Sequence, residues 1–130
     1  MKPNVKEFAL EWINKAEQDL LWAKASFRDD FFSGVCFLCQ QIAEKSLKGF
    51  LYSYNIRTKT HNLTELLIAC VKVEKEFCTI EKYTSKLNPY YLETRYPDVG
   101  DVEKFNKKEY AQEALEMADK VLNFVKEKLV

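Results

Sequence analysis

The chain of 130 residues holds one histidine, His61, in a polar loop that also carries Arg57 and Lys59. Cations and an imidazole gathered in one loop suit a phosphate oxyanion, through charge and through a donor that titrates near neutrality. His61 directly precedes a helix cap, so a turn or capping role is the competing reading, and no second histidine exists for a paired acid–base mechanism. Arg95-Tyr96-Pro97-Asp98 is the other suggestive cluster. Arginine can clamp a phosphate bidentately, tyrosine can stack on a base, and proline fixes how both are presented. The alternative there is a brace, with Arg95 paired to Asp19, Glu44 or Asp98 and holding the loop on the body of the protein.

Cys36-x-x-Cys39 in isolation would suggest zinc or thiol redox chemistry. Both cysteines lie on or beside an apolar helical arc, flanked by Val35, Phe37 and Leu38, and Cys70 and Cys78 are too far apart to supply a matching pair. They read as small hydrophobes of a core, and no metal is expected. Neither a nucleophile elbow, a P-loop nor a zinc signature is present. The carboxylates are plentiful but fall mostly at solvent-face spacings, so no acid–base pair stands out.

The bulk composition narrows the partners. Twenty Lys and Arg balance twenty Asp and Glu, which argues against a whole-molecule electrostatic grip on nucleic acid or an anionic membrane. No apolar run approaches transmembrane length, and MKPNVKEF lacks the apolar stretch of a signal peptide, so a cytoplasmic protein is expected. Three glycines and three prolines leave little room for the turns of a β-protein. The length suits a single domain, 1–130, able to bury a core without disulfides.

The elements that position these groups are helices. Val35 to Tyr54 places Val35, Leu38, Cys39, Ile42, Ala43, Ser46, Leu47, Phe50 and Tyr54 on one arc at about 100° per residue. An arc that wide predicts a central helix with neighbours on several sides. Gln41, Glu44 and Lys48 lie opposite as a polar face, with Glu44 and Lys48 at ion-pair spacing. A first helix is predicted over Val5–Phe27, its stripe formed by Val5, Phe8, Ala9, Trp12, Ala16, Leu20, Ala23 and Phe27, about 34 Å long. Asp19, at the edge of that stripe, reads as a half-buried carboxylate that accepts from backbone or lysine. Leu10, Leu21 and Trp22 fall off it as a second apolar surface.

Asp30 or Ser33 is the expected cap of the second helix, and the short link makes the first two helices antiparallel. Asn62 with Glu65 has capping-box order, opening a stripe of Leu63, Leu66, Leu67, Cys70 and Val71. Thr79 is the expected restart, and the spacing admits one bent helix or two over 63–91. Pro89, Pro97 and Gly100 stop the pattern, and 93–105 is the one long loop. Asn106 with Glu109 is expected to open the last helix, whose stripe is Tyr110, Ala114, Met117, Ala118, Val121, Val125 and Leu129. The prediction is all-α: an up-and-down bundle of four long helices with room for a fifth short one.

Four stretches in order resemble one family. They are Ala16-x-x-Asp19-Leu20-x-x-Ala23, Gln40-Gln41-x-Ala43-Glu44-Lys45-x-Leu47-Lys48, Lys59-Thr60-His61-Asn62-Leu63 and Arg95-Tyr96-Pro97-Asp98. Together, over about Phe8–Val125, the chain resembles the HEPN domain (higher eukaryotes and prokaryotes nucleotide-binding) of the stand-alone prokaryotic type. The resemblance implies a helical bundle similar to the C-terminal domain of kanamycin nucleotidyltransferase. It implies a homodimer with a cleft between protomers, a minimal nucleotidyltransferase encoded nearby, and in many such pairs a toxin–antitoxin module. It implies no cofactor, with a nucleotide as candidate ligand.

HEPN ribonucleases carry arginine, four to six residues, then histidine; after Arg95 no histidine follows, and Arg57-x-x-x-His61 lies in an earlier loop. That departure argues against metal-independent RNA cleavage and leaves no residue assigned as catalytic. RNA enters only under the alternative of a ribonuclease toxin with a rearranged site; a purely structural scaffold is the third reading. Under the resemblance, the candidates for nucleotide or phosphate are Lys45, Lys48, Lys59, His61, Arg95, Tyr96 and Asp98. Lysines would neutralise phosphate, Arg95 clamp it, Tyr96 stack, and Asp98 orient Arg95 or meet a ribose hydroxyl. Phe37 projects into the polar face of the second helix and Tyr52 lies near it, so Phe37, Gln41, Glu44 and Tyr52 are interface or cleft-wall candidates.

Overall fold

The computed structural model describes residues 5–99 and 102–129, and within them every regular element is a helix. The order is α1 (Val5–Arg28), α2 (Phe32–Ser53), α3 (Leu63–Val73), a 3-10 turn (Lys75–Ile80), α4 (Glu81–Leu87), α5 (Tyr90–Glu93), a second 3-10 turn (Val102–Phe105) and α6 (Lys108–Lys128). Helix α2 packs on α1, α6 and α3 and is the centre of the bundle. No described helix is long and apolar enough to cross a membrane.

Helix directions follow from side-chain contacts. Phe8 meets Tyr52 and Phe27 meets Phe32, so α1 and α2 are antiparallel. Asn106 reaches Ser33 at one end of the bundle, while Phe77 touches both Phe50 and Phe124 at the other, so α6 runs parallel to α2. Ile80 and Lys82 share a surface recess with Phe124 and Glu127, whereas Lys86 pairs with Glu113, so α4 runs against α6. Helices α1, α2, α4 and α6 therefore alternate. Helix α3 is an extra half-length arm running the same way as α2.

Helices α1 and α2 end alike. Phe31 N–H donates to the Ser26 carbonyl across Asp30 (φ 65°), and Ile56 N–H to the Leu51 carbonyl across Asn55 (φ 59°). This is the Schellman closure, with Asp and Asn standing where glycine is commonest. The second closure reverses the chain after Tyr54, so 55–61 doubles back along α2 and returns His61 to the level of Glu44. The pattern over 63–91 resolves into α3, α4 and the start of α5. Helices α3 and α4 are separated by Glu74, whose backbone is extended, and by the 3-10 turn Lys75–Ile80, so that Thr79 lies in that turn and α4 starts at Glu81.

Four details depart from the sequence reading. Tyr54, expected on the core arc, is 56% exposed because α2 ends at Ser53. Neither Asp30 nor Ser33 caps α2; Phe31 holds the cap position, and the Asn106 carboxamide accepts from Ser33 N–H at 3.3 Å. Asn106 does not open α6, which begins at Lys108 behind Lys107 without a side-chain cap; its Nδ2 donates to Glu103 instead. Asn62 does cap α3, accepting from Thr64 and Glu65 N–H, but Glu65 closes onto Thr60, whose hydroxyl receives the Asn62 N–H. Gly100, read as a helix stop, lies outside the described residues.

Apart from Tyr54, the core stripes of α2, α3 and α6 are buried or, at Val71, Tyr110 and Leu129, half-buried against the core. On α1, small residues carry the burial, Ala9, Ala16 and Ala23 with Ile13, which lets α1 lie close to α2. Gly49 on α2 completes that approach. A Cβ there would stand 3.1 Å from Trp12 Cβ and 3.2 Å from the Ala9 carbonyl oxygen. Phe8 and Trp12, predicted for the stripe, are only half-buried and lie outside the core cluster. Leu10, Leu21 and Trp22 are exposed.

Candidate functional site

The polar side of α2 is where the structure adds most. Gln40 is fully buried, Glu44 4% exposed and Lys48 7% exposed, so this is no solvated face. The returning loop and α1 cover it. Buried polar groups must find partners or pay a desolvation cost of several kcal/mol, about 1–3 for a neutral group and more for a charge. Here they find one another. Lys48 Nζ donates to Glu44 Oε2 at 3.0 Å, and Gln41 Nε2 donates to Gln40 Oε1 at 2.8 Å and to Glu44 Oε1 at 3.3 Å.

The network closes on His61. Gln40 Nε2 donates to the His61 carbonyl at 3.0 Å, fixing its backbone. His61 Nδ1 lies 3.1 and 3.2 Å from the two oxygens of Glu44. An ionised carboxylate only accepts, so Nδ1 carries the proton in this contact, and Nε2 has no hydrogen-bond partner among the described residues. The ring stacks on Tyr91 of α5, with centroids 4.5 Å apart and planes within 12°. His61 is thus clamped at backbone, Nδ1 and ring face, while its side chain remains 52% exposed. It borders a cleft of about 440 Å³ with Thr60, Asn88, Tyr91, Glu93 and Val99.

Arg95 stands next to it. Its guanidinium lies 4.5 Å from the Phe37 ring centroid, 5.6 Å from that of Tyr91 and 5.4 Å from that of Tyr96. The brace to Asp19, Glu44 or Asp98 is not what forms, and Asp98 does not orient Arg95; among the described residues Arg95 makes no ion pair. Aromatic faces hold the cation without neutralising it. Phe37 and Tyr91 are 6.0 Å apart, and the first lines a smaller recess of about 220 Å³ while the second lines the His61 cleft. Arg95 and its rings form the wall between the two.

The remaining candidates separate into groups. Lys45 is committed to Asp19, which explains that half-buried carboxylate. Lys48 is committed to Glu44, and its Nζ sits 5.8 Å from the Trp12 ring. Lys59 and Asp98 are exposed. Of the four interface candidates, Glu44 lies beneath the surface, Phe37 and Gln41 are half-buried, and Tyr52 packs at the far end of α2 on Phe8 with Arg57 over its ring. His61, Arg95 and Tyr96 therefore come together with Phe37 and Glu44, and Lys45 and Lys48 serve as counter-ions within the protein.

Gln40 and Tyr91 hold His61 in place and were not among the candidate site residues named from the sequence. Gln40 was visible only as one of two adjacent glutamines, and nothing in the spacing distinguished Tyr91 from its neighbour Tyr90. The cysteines act in packing. Cys36, Cys39 and Cys70 are buried, and burial pushes the Cys36 and Cys70 thiols up to about 12 and Cys39 well above 9.0. Among the described residues, no three His, Cys, Asp or Glu side chains converge on a metal position.

Comparison with known proteins agrees with this architecture. The HEPN domain family model matches residues 9–128. TT1696 from Thermus thermophilus is 32% identical, with 92% of this chain and 97% of that one covered and a TM-score of 0.81. ST0689, an archaeal HEPN homologue, is 30% identical over the whole of both chains with a TM-score of 0.78. No curated protein matches. The chain belongs to the HEPN family.

Proposed function

We propose that this HEPN domain is a nucleotide-binding module, dimeric, and an accessory partner of a minimal nucleotidyltransferase in a module of the toxin–antitoxin kind. The observation that supports the nucleotide reading is Arg95, an exposed cation held by three aromatic rings with no carboxylate partner among the described residues. A guanidinium presented this way is ready to donate paired hydrogen bonds to phosphate oxygens, while Tyr96 beside it offers a ring face for a base. His61 Nε2 supplies a second, pre-oriented group at the same wall. Lys45 and Lys48 are withdrawn from direct phosphate contact by Asp19 and Glu44.

Calorimetric titration with ATP and other nucleotides, on the parent protein and on Arg95→Ala, tests this. For the dimer, light scattering on Phe37→Glu is the check, since Phe37 is the half-buried aromatic on the candidate interface. A folded monomer is expected from Phe37→Glu and a dimer from the parent; a monomeric parent removes the dimer. Co-purification with the product of the adjacent reading frame tests the partner.

One observation favours a second reading. The Glu44–His61 contact is the geometry of an imidazole held as a general base. In that reading Nε2 takes the proton of an RNA 2′-hydroxyl and the 2′-oxygen attacks phosphorus to form a 2′,3′-cyclic phosphate; the bond to the 5′-oxygen breaks, that oxygen takes a proton from water, and Arg95 steadies the charge on the phosphate. RNA cleaved by the parent and spared by His61→Ala would establish it.

A further inference from the structure

We infer that a second pocket, at the far end of the α2 face, binds a planar aromatic ring that carries an anionic group. It is separate from the Arg95 wall and does not depend on the nucleotide reading of that wall. Phe8, Glu11, Trp12, Lys15 and Tyr52 line it, enclosing about 300 Å³. Tyr52 lies fifteen residues beyond Phe37 on α2, which sets the two places about 22 Å apart along the helix.

Three large aromatic side chains meet here without belonging to the core. Phe8, Trp12 and Tyr52 are each only half-buried and stand apart from the buried cluster of the bundle. Phe8 and Tyr52 contact each other with centroids 5.6 Å apart and planes tilted by 52°, so they form a bent wall and not a closed stack. Trp12 is fixed close by, because Gly49 lets the α1 backbone come within contact of α2 at that level. Apolar walls of this kind, with few polar groups at the rim, are what small-ligand sites are made of, and the volume is at the lower end of their range. The volume suits a single ring system.

Charge selects the sign of the ligand. Lys15 and Glu11 stand at the rim, Arg57 lies 5.0 Å from the Tyr52 ring, and Lys48 lies 5.8 Å from the Trp12 ring. Lys48 is neutralised by Glu44, but Lys15 and Arg57 have no carboxylate partner among the described residues. The surplus is positive, which attracts anions and opposes a cationic guest in the aromatic pocket. A ring with a phosphate or carboxylate satisfies both halves of the site.

Trp12 reports on its own pocket. The chain has two tryptophans, and Trp22→Phe removes the other, which is 63% exposed and outside the core cluster. In that background, Trp12 fluorescence excited at the red edge is titrated with AMP, indole-3-carboxylate, adenosine and inorganic phosphate. Saturable quenching by at least one anionic ring, about tenfold tighter than by adenosine and absent with phosphate alone, is expected. Whether AMP or the carboxylate is tighter identifies the source of the ring. Lys15→Glu, an exposed change that leaves packing alone, and Tyr52→Leu should each weaken quenching about tenfold, and Arg95→Ala should leave it unchanged. No saturable quenching below about 10 mM, equal quenching by adenosine, or loss in Arg95→Ala overturns the inference. Circular dichroism shows which variants remain folded, and Lys15→Glu carries the test if Tyr52→Leu does not fold.

Discussion

Replacing Glu44 by glutamine keeps shape and removes one charge at the centre of the His61 network. Lys48, whose side chain is 8% exposed, then loses its counter-ion while remaining under α1 and the returning loop. Leaving one member of a buried ion pair without its partner costs about 3 kcal/mol, at the low end for such breaks because the amide oxygen still accepts one hydrogen bond. In a 130-residue domain that lowers Tm by about 10 °C. The double variant Glu44→Gln/Lys48→Met removes the stranded charge and should recover about 2 kcal/mol, because buried pairs are often matched by apolar replacements. Urea unfolding followed by circular dichroism measures both. His61 loses its ionised acceptor in each variant, so its ring resonances should broaden even where stability returns. A single variant within about 0.5 kcal/mol of the parent, or a double variant no better than the single, refutes the view that Glu44 and Lys48 are a buried, mutually dependent pair.

Three other consequences follow from local geometry. Asn106→Ala removes the carboxamide on Ser33 N–H and should cost about 1 kcal/mol by thermal unfolding, although the two residues are 73 apart in sequence. Gly49→Ala should cost about 1–3 kcal/mol, because the new Cβ meets the Ala9 carbonyl oxygen as well as Trp12, and backbone cannot step aside. A thiol reagent at pH 8 should label Cys78 quickly and the other three only on unfolding. Those three titrate higher folded than the 9.0 of a free thiol, so the stability they contribute is complete below pH 9 and falls as pH climbs towards 12; a denaturant series from pH 7 to 11 reads that slope.

Much of the bundle was legible because helical spacing is a local signal. The stripes of α2, α3 and α6, the Asn62 cap and the Asp19–lysine contact all depend on residues within a few turns or on one charge in a stripe. What was missed is non-local. Asn106 followed three residues later by Glu109 has the order of a capping box, yet its carboxamide serves Ser33, in the first turn of a helix and 73 residues away. Gln41, Glu44 and Lys48 have the composition of a solvated face, but the doubling back of the loop after Asn55, together with α1, buries Glu44 and Lys48. Trp12 holds a core position by angle, but small alanines on α1 bring the helices so close that the indole is displaced to the rim. In the candidate site, His61 and Arg95 stood out by residue type. Their holders, Gln40 and Tyr91, did not, because hydrogen bonding to a backbone carbonyl and ring stacking leave no spacing to read.

Arg95 as a cation kept free for phosphate is the central claim. Titrating the parent protein and Arg95→Ala with ATP by calorimetry tests it directly, with circular dichroism to show both are folded. A saturable heat in the parent, with affinity reduced about tenfold or more in the variant, is the predicted result, since hydrogen bonds to charged groups contribute about 1.5–3 kcal/mol. No heat at millimolar nucleotide, or equal affinity in both proteins, would contradict it.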